Sequence, residues 1–549
     1  MNFRTYFLFG AGILLGIFSM NIRAQSITNT EGKTTANKFE NWHNLDAKIN
    51  KIQGISTDEA YEKLLKGKTL KSVIVAVIDG GVDINHEDLK GKIWVNRGEI
   101  PGNGIDDDHN GFVDDMNGWN FIGGKDGKNV KEETSEVTRL YVKFIEKFDG
   151  VNKSSLTGKE LDEYLYLEKA KNKYLEKANK SKREMADISS FSNAFWFSDS
   201  IVRSIVNKEV YTLEDIKSIN PGNDKRLTSI KEFLTEIYKK KFDKEQFKKY
   251  IEYLSSTNNY HYNTDFNPRS IVGDNPEVWN DVTYGNNDVI GSSPEHGTFV
   301  SGIIAANRHN DLGIKGIADS VKIMVVRAIP DGDERDKDVA NAIIYAVNNG
   351  AQILNLSFGK DFSPQKNFVD DALRYAASKD VLIIHAAGND SENTDTLERY
   401  PNNFGIDGQK IMENWMNIGA SFQKKNKTLT GDFSNYGNKT VDLFAPGVSI
   451  YSSQPGNKYG VMDGTSFSAP MTSGAAALLK SVYPSLHASQ IKEILMKSTH
   501  KYPRLKVNMP NQASKKKEKV RFGKLSVTGG VLNVYEALLL AEKYSSVKN

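Results

Sequence analysis

The chain has 549 residues, with 72 Lys and Arg against 69 Asp and Glu. This near balance argues against a nucleic-acid-binding protein, which needs a dominant basic surface. The absence of cysteine excludes disulfides, thiolate zinc sites and a cysteine nucleophile. The length allows two or three domains, and no apolar run of about 20 residues follows the N-terminal segment, which excludes a multi-span membrane protein.

The N-terminus has the pattern of an export signal. Arg4 precedes a mostly apolar run from Tyr6 to Met20, and Ala24 is a small residue at a suitable cleavage point. Such a run is short for a membrane span and typical of a secretory signal peptide, although an uncleaved anchor or a buried first helix is the alternative. We expect residues 1–24 to be removed, leaving a periplasmic or extracellular protein without a stable membrane span.

Buried strands and helices alternate in two parts of the chain. Val73–Ile78 is a continuous apolar run, typical of a strand buried on both faces of a parallel sheet. After residue 290 the pattern predicts, in chain order, strand Val321–Val326, helix Asp338–Asn348, strand Ile353–Leu356, helix Phe368–Ala377, strand Val381–Ala386, helix Ala469–Tyr483 and helix Ser489–Ser498. This order predicts an α/β fold with a parallel sheet and helices on both faces.

The segment between these two parts has a different composition. Residues 126–285 are rich in Lys, Glu, Tyr and Asn, with helical spacing and no buried strand run. We expect a mostly helical insertion domain there, between an N-terminal part (25–125) and a C-terminal part (286–549) of one α/β domain. A long, partly ordered loop is the alternative, although loops of more than about 15 residues without structure are unusual in a compact domain.

Four short motifs carry the residues that could do chemistry. Asp79 ends the first strand in Val-Ile-Asp-Gly-Gly, and His296 opens a small-residue helix as His-Gly-Thr. Asn389 follows a strand as Ala-Ala-Gly-Asn, and Ser466 lies near a helix start in Gly-Thr-Ser-x-x-Ala-Pro. Histidine is the usual general base, an Asn amide can donate to an oxyanion, and a helix N-terminus favours negative charge. Taken singly, a turn, a structural histidine or a helix N-cap explains each residue equally well.

Together and in this order, the four motifs resemble those of the subtilisin-like serine peptidases, the subtilases. The resemblance covers about residues 70–95 and 290–540 and implies a serine endopeptidase with a three-layer, subtilisin-like fold. It implies that Ser466 is the nucleophile and that His296 is the general base. By the same resemblance, Asp79 orients the histidine and Asn389 forms part of an oxyanion hole.

The resemblance also implies where a peptide or protein substrate binds. Ser357, Phe358 and Gly359 would pair with the substrate backbone, and Ala387 and Gly388 would line the pocket for the residue before the cut. A catalytically silent relative that acts as a binding or scaffold protein, or an esterase with the same triad, is the alternative interpretation.

A fifth motif, Asp-x-Asp-x-Asn-Gly, predicts a metal site. Its spacing matches positions 1, 3, 5 and 6 of a calcium-binding loop. The predicted ligands are Asp106, Asp108, Asn110 and Asp114, because hard oxygen donors in a tight glycine turn suit Ca²⁺. Position 12 is Asn117 rather than Glu, so the loop is not a full EF-hand, and a polar turn is the alternative. We expect a structural calcium ion.

Overall fold

The structure of the protein is a computed structural model. It describes residues 40–240, 242–279, 281–512 and 517–546. The predicted signal segment, residues 1–24, lies outside the described residues. Within them, no helix combines the length and the apolar character needed to cross a membrane. The chain divides into a helical unit, residues 137–264, and an α/β unit formed by the described residues on either side of it.

The helices and strands are numbered in chain order. The strands are β1 (Val73–Asp79), β2 (Gly118–Asn120), β3 (Val321–Arg327), β4 (Ile353–Leu356), β5 (Leu382–Ala386), β6 (Trp415–Ser421), β7 (Leu443–Pro446), β8 (Ile450–Gln454), β9 (Lys458–Met462), β10 (His500–Lys501), β11 (Lys506–Asn508), β12 (Lys519–Arg521) and β13 (Gly530–Val531). The helices are α1 (Thr57–Ala60), α2 (Glu136–Phe148), α3 (Gly158–Val206), α4 (Leu213–Ser218), α5 (Lys225–Lys239), α6 (Lys244–Ser256), α7 (Arg269–Val272), α8 (Glu295–Ala305), α9 (Asp336–Asn348), α10 (Lys366–Ser378), α11 (Thr465–Val482), α12 (Ala488–Lys497) and α13 (Val534–Ser546). The predicted elements agree with these bounds to within two residues, except that α11 begins at Thr465 rather than at Ala469.

One mixed sheet organises the described part of the α/β unit. Its strand order is β10-β13-β7-β6-β5-β4-β1-β3-β2. Neighbouring strands pair in parallel, except that β10 and β13 are antiparallel. Two small antiparallel pairs, β8–β9 and β11–β12, lie outside this sheet. The predicted α/β fold with a mostly parallel sheet is therefore confirmed.

Helices cover both faces of the sheet, which explains why its strands are continuously apolar. Along β1, Val73, Val75 and Val77 enter one buried core, which they share with side chains of α8 and α11. The alternate residues Ala76 and Ile78 enter a second core, which they share with side chains of α9 and α10. Successive side chains of a strand point to opposite faces, so a strand between two layers of helices must be apolar at every position. The predicted three-layer arrangement is confirmed.

The helical unit has an apolar core of its own. Phe191 and Phe195 of α3 pack with Phe247 of α6, with ring centroids 5.3 and 5.8 Å apart. The unit is shorter at both ends than the predicted segment 126–285, because Val130, Val272 and other flanking residues pack into the second core of the sheet. Whether the unit folds as an independent domain stays a prediction.

Candidate active site

Asp79 and His296, 217 positions apart in the chain, are in contact at the carboxyl edge of the sheet. Asp79 is the last residue of β1, and His296 is the second residue of α8. His296 Nδ1 lies 2.8 and 3.0 Å from the two carboxylate oxygens of Asp79, and Gly80 N–H donates to the same carboxylate at 2.8 Å. The Asp79 side chain is only 5% exposed, whereas that of His296 is 41% exposed. A buried carboxylate therefore holds an imidazole whose other edge is open to solvent.

The electrostatics of this pair favour a charged imidazole. Partial burial of His296 lowers its pKa, because burial disfavours the charged form. The negative charge of Asp79 and its hydrogen bond to the ring act in the opposite direction and outweigh burial, so the pKa of His296 is raised above its usual value. An imidazole in this setting can accept a proton near neutral pH, as a general base must.

Two glycines let α8 approach β1 and the hairpin β8–β9. A Cβ atom on Gly297 would lie 2.1 Å from the carbonyl oxygen of Gly81, which is backbone and cannot turn aside. A Cβ atom on Gly302 would lie 2.1 Å from the Ser453 hydroxyl, which donates to the carbonyl of Thr298. Any larger residue at either position would push α8 away from its neighbours. The short distance between His296 and Asp79 therefore depends on glycine at position 297.

Ser466 lies in the first turn of α11, at the same edge of the sheet. Its hydroxyl donates to the Ser357 carbonyl at 3.1 Å, and the Ser357 hydroxyl donates back to the Ser466 carbonyl at 2.8 Å. The ring of the next residue, Phe467, lies 5.8 Å from the imidazole of His296. The structure thus brings Ser466, His296 and Asp79 to one place, with the Ser466 hydroxyl turned to Ser357. Among the described residues the Ser466 hydroxyl makes no hydrogen bond to the imidazole.

Pro470 explains why the Ser466 carbonyl is free to accept from the Ser357 hydroxyl. A helix N–H at position 470 would donate to the carbonyl four residues earlier, which is that of Ser466. Proline has no N–H, so it leaves the Ser466 carbonyl free, and the Ser357 hydroxyl takes that place. The helix therefore tolerates an internal proline. It begins at Thr465, four residues before the predicted start.

Asn389 follows β5 and is oriented by Thr465. The Asn389 side-chain oxygen accepts from both the backbone N–H and the hydroxyl of Thr465, each at 2.9 Å. Thr465 Oγ1 in turn accepts from Gly388 N–H at 3.1 Å. With its oxygen occupied, the Asn389 amide has its NH₂ group left as a donor, and no acceptor for it lies within hydrogen-bond distance in the described part of the chain. Sequence reasoning missed Thr465, although its place between Gly464 and Ser466 was visible in the Gly-Thr-Ser string.

The predicted substrate-binding residues follow two adjacent strands. Ser357, Phe358 and Gly359 come directly after β4, and Ala387 and Gly388 come after β5. Because β1, β4 and β5 are neighbours in a parallel sheet, their carboxyl ends meet at the edge that carries Asp79. A cavity of about 420 Å³ opens there, and its walls include Asp79, His296, Ser357, Phe358, Ile329 and Pro330. An extended ligand has room beside the catalytic candidates.

The acidic loop brings some of its predicted ligands together and not others. Carboxylate oxygens of Glu99, Asp106 and Asp108 lie within 4.8 Å of one another. Asn110 lies beside them: its Nδ2 donates to Asp108 Oδ2 at 3.3 Å, while its Oδ1 accepts from Phe112 N–H within the turn. Three carboxylates at this spacing fit a hard divalent cation such as Ca²⁺. Glu99 was missed because it lies outside the repeating Asp-x-Asp pattern.

Asp114 points elsewhere in the loop. Its two carboxylate oxygens accept backbone N–H groups of Gly102, Asn103 and Gly104 at 2.7 to 3.2 Å. These bonds shape the chain entering the acidic turn. The carboxylate of Asp106 also accepts a backbone N–H, that of Asn110. The same residues therefore take part in a polar turn and in the predicted cation site.

Comparison with known proteins gives the family. The sequence matches the subtilase family over residues 70–523. The chain belongs to the subtilase family. It is 41% identical over 187 residues to a thermophilic serine proteinase of Bacillus sp. (strain AK1), an alignment that covers 34% of this chain and 42% of that protein. It is also 35% identical over 201 residues to subtilisin BL of Lederbergia lenta, covering 36% of this chain and 68% of that protein.

A solved structure shares the same family description. A chain from a study of subtilase cytotoxin SubAB assembly is 25% identical and has a TM-score of 0.38, covering 46% of this chain and 78% of that chain. The alignment to the thermophilic serine proteinase spans less than half of that relative. A peptidase activity of this subtilase is therefore a proposal, which depends on its own site.

The Asp79–His296 contact predicts how the imidazole titrates. Removing the carboxylate charge with Asp79→Asn should lower the pKa of His296, because the imidazolium loses its counter-charge. Nuclear magnetic resonance of selectively labelled histidines would follow the midpoint in both proteins. His385 is the internal control: its burial lowers its pKa to about 4, and Asp79→Asn should not move it. An unchanged His296 midpoint would contradict the assigned contact.

Proposed function

We propose that this subtilase is a serine endopeptidase with Asp79, His296 and Ser466 as its catalytic triad. The observation that carries the proposal is the contact of His296 Nδ1 with both oxygens of the buried Asp79 carboxylate. That contact is made at the edge of the sheet where Ser466 enters the first turn of α11. Family membership supports the same chemistry, because Asp, His and Ser occur in the chain order of subtilisin.

The mechanism follows from which nitrogen of His296 holds its proton. The Nδ1–H donates to Asp79, so Nε2 keeps a lone pair and can act as the base. Ser466 Oγ attacks the peptide carbonyl carbon while its proton passes to Nε2. The imidazolium then gives this proton to the leaving amine, and the acyl group stays on Ser466. Water repeats the two steps and releases the acid product.

Asn389 and the start of α11 stabilise the negative charge that develops on the substrate oxygen. The Asn389 NH₂ group and the Ser466 backbone N–H are the donors; Ser466 belongs to α11, and Thr465 at the start of that helix holds the Asn389 side chain. Thr465 takes no part in the chemistry itself. It supports the arrangement because its N–H and its hydroxyl both donate to the Asn389 side-chain oxygen and so hold the amide in place. The dipole of α11 acts in the same direction, since its N-terminus favours negative charge.

Peptide or protein substrates bind, in this proposal, as an extended strand. The backbone of Ser357, Phe358 and Gly359 pairs with the substrate on one side of the cleft. Ala387 and Gly388 line the pocket for the residue before the cut. Backbone pairing reads no sequence, so the pockets set the specificity.

We also propose a structural calcium ion in the acidic loop and export of the chain. Glu99, Asp106 and Asp108 would hold the ion, whose two positive charges would offset most of the negative charge of the three carboxylates. The segment 1–24 would act as a cleaved signal peptide, so that the enzyme works in the periplasm or outside the cell. Ca²⁺ is abundant in such compartments, and a protein without cysteine needs another means to stiffen long loops.

The triad is tested with a fluorophosphonate probe and a chromogenic peptide. The wild type should become labelled on Ser466, and Ser466→Ala should lose labelling and lower turnover by about 10⁶-fold. Ser468→Ala is the matched control: this buried serine donates to Ala445 O, away from the site, and a folded variant should still be labelled. An unlabelled, inactive wild type would favour a silent binding protein. Hydrolysis of esters without any cleavage of peptides would favour an esterase.

The oxyanion donors predict a change in turnover with little change in KM. Asn389→Ala should lower kcat by about 10²- to 10³-fold, because this contact strengthens only in the transition state. Thr465→Val should lower kcat by about tenfold, since it removes one hydrogen bond to the amide oxygen, and Thr465→Ser should restore it. In the Asn389→Ala background Thr465→Val should have little further effect. Additive losses would show that Thr465 does not act through Asn389.

The calcium proposal predicts that a chelator lowers thermal stability. An ion that binds only the folded state stabilises it by about 2.7 kcal/mol at 100 times its Kd. EGTA should therefore lower Tm in the wild type, added CaCl₂ should restore it, and Glu99→Gln with Asp108→Asn should abolish the difference. The control Glu413→Gln, an exposed carboxylate elsewhere, should keep it. A wild-type Tm that does not respond to EGTA would leave the loop as a polar turn.

A further inference from the structure

His385 is a buried histidine that the proposed mechanism does not use. It lies in β5, four residues before Asn389, and is 4% exposed. Its ring stacks on Trp415 of β6 with the centroids 5.1 Å apart. Its Nδ1 lies 3.1 Å from Asn417 Oδ1, and its Nε2 lies 2.9 Å from the carbonyl oxygen of Phe358. The ring therefore connects the sheet interior with the segment that would bind substrate.

The imidazole is neutral and donates to Phe358. Burial lowers the pKa of His385 to about 4, although its bonds to Asn417 and Phe358 act in the opposite direction. A neutral imidazole has a single N–H. Both ring nitrogens face an acceptor oxygen, so only one of the two contacts can be a hydrogen bond donated by the neutral ring. Nε2 makes the shorter contact, 2.9 Å to the Phe358 carbonyl against 3.1 Å from Nδ1 to Asn417 Oδ1, so we assign the proton to Nε2. The planar ring is fixed by Trp415, and the direction of the Phe358 carbonyl is fixed with it.

That direction decides where the N–H of Gly359 points. In a trans peptide the C=O of one residue and the N–H of the next lie in one plane and point in opposite directions. Because the Phe358 carbonyl points inward to His385, the Gly359 N–H points outward. Gly359 is exposed, and its N–H has no hydrogen-bond partner among the described residues. Lys360 beyond it is held by paired bonds with Tyr400, so the segment is anchored on both sides.

The distance of the Gly359 N–H from Ser466 determines which carbonyl of a bound peptide it can reach. Ser357 exchanges hydrogen bonds with Ser466, so residue 357 lies beside the nucleophile. Gly359 lies two residues further, which is about 7 Å along an extended chain. A peptide that pairs with this segment would meet the Gly359 N–H with a carbonyl about two residues from the bond that is cut. A substrate with a single residue before the cut would not reach it.

We propose that His385 is a positioning residue that fixes the Phe358–Gly359 peptide plane and so presents the Gly359 N–H to the carbonyl of an extended peptide substrate. The inference rests on the proposed peptide-binding role of residues 357–359. In this proposal His385 affects how well the enzyme binds longer peptides and has no part in the cleavage step. A histidine suits this task because a rigid, flat ring carries its donor at a fixed distance from the strand.

The test compares two p-nitroanilides with the same residue before the cut, one with a single residue and one with four. His385→Leu fills the space without a donor, and His385→Gln carries an amide N–H near the position of Nε2. We expect His385→Leu to lower kcat/KM for the four-residue substrate by about five- to tenfold, mainly through KM. The single-residue substrate should change less than twofold, and His385→Gln should recover most of the loss.

His43→Leu is the matched control for the loss of a buried histidine. His43 is fully buried in the same unit, and burial lowers its pKa to about 3. This variant should lower Tm without changing the ratio of the two kcat/KM values. An equal loss on both substrates in His385→Leu, or no loss on either, would overturn the proposal for His385.

Two further measurements test the proposal without relying on turnover, and the second uses the wild type, so it does not depend on the folding of a variant. The first is calorimetry with an uncleaved four-residue peptide in the Ser466→Ala background. The double variant with His385→Leu should bind this peptide more weakly than the double variant with His385→Gln. If the wild type cleaves no peptide but binding still depends on peptide length and on residue 385, the proposed peptidase activity is contradicted. The role of His385 is then still supported. Nitrogen-15 spectra of the wild type should show the Nε2–H tautomer at His385, and an Nδ1–H tautomer would overturn the proposal.

Discussion

The parallel pairing of β1, β4 and β5 is the constraint on which this site depends. Parallel strands end at the same edge, so residues far apart in the chain are brought together when their strands are neighbours. Asp79 ends β1, Ser357 follows β4 and Asn389 comes shortly after β5. Helices α8 and α11 then add His296 and Ser466 from the same side of the sheet. A change in strand order would separate these residues even if each motif remained intact.

At that edge of the sheet, two close contacts depend on residues that lack an atom other residues have. Gly297 has no Cβ, so α8 can approach the carbonyl of Gly81. Pro470 has no N–H, so the carbonyl of Ser466 is free to accept the Ser357 hydroxyl. The two residues look unrelated in the sequence, yet both allow an element to come close to its neighbour. The reciprocal bonds between Ser357 and Ser466 join the proposed substrate-binding segment directly to the helix that carries the proposed nucleophile.

The sequence predicted the fold class and most element bounds because buried parallel strands leave a continuous apolar run, as in Val73–Ile78. It also selected Asp79 and His296, which the structure brings into contact, because short strings mark them. It did not find Glu99, which lies outside the Asp-x-Asp pattern, or Thr465, which holds the Asn389 oxygen and carries no catalytic motif of its own. Their contributions depend on distances across loops, which spacing along the chain does not encode.

Histidine shows how far the surroundings decide a role. The chain contains nine histidines, and the type alone cannot distinguish them. At His296 a buried carboxylate outweighs burial, and the pKa of the ring is raised. At His385 and His43 no carboxylate bonds the ring, burial dominates, and their pKa values are lowered to about 4 and about 3. His296, the proposed general base, lies against a charge at the surface of the cleft. His385, proposed to hold a peptide plane, lies among neutral dipoles, and its lowered pKa keeps the ring neutral near pH 7.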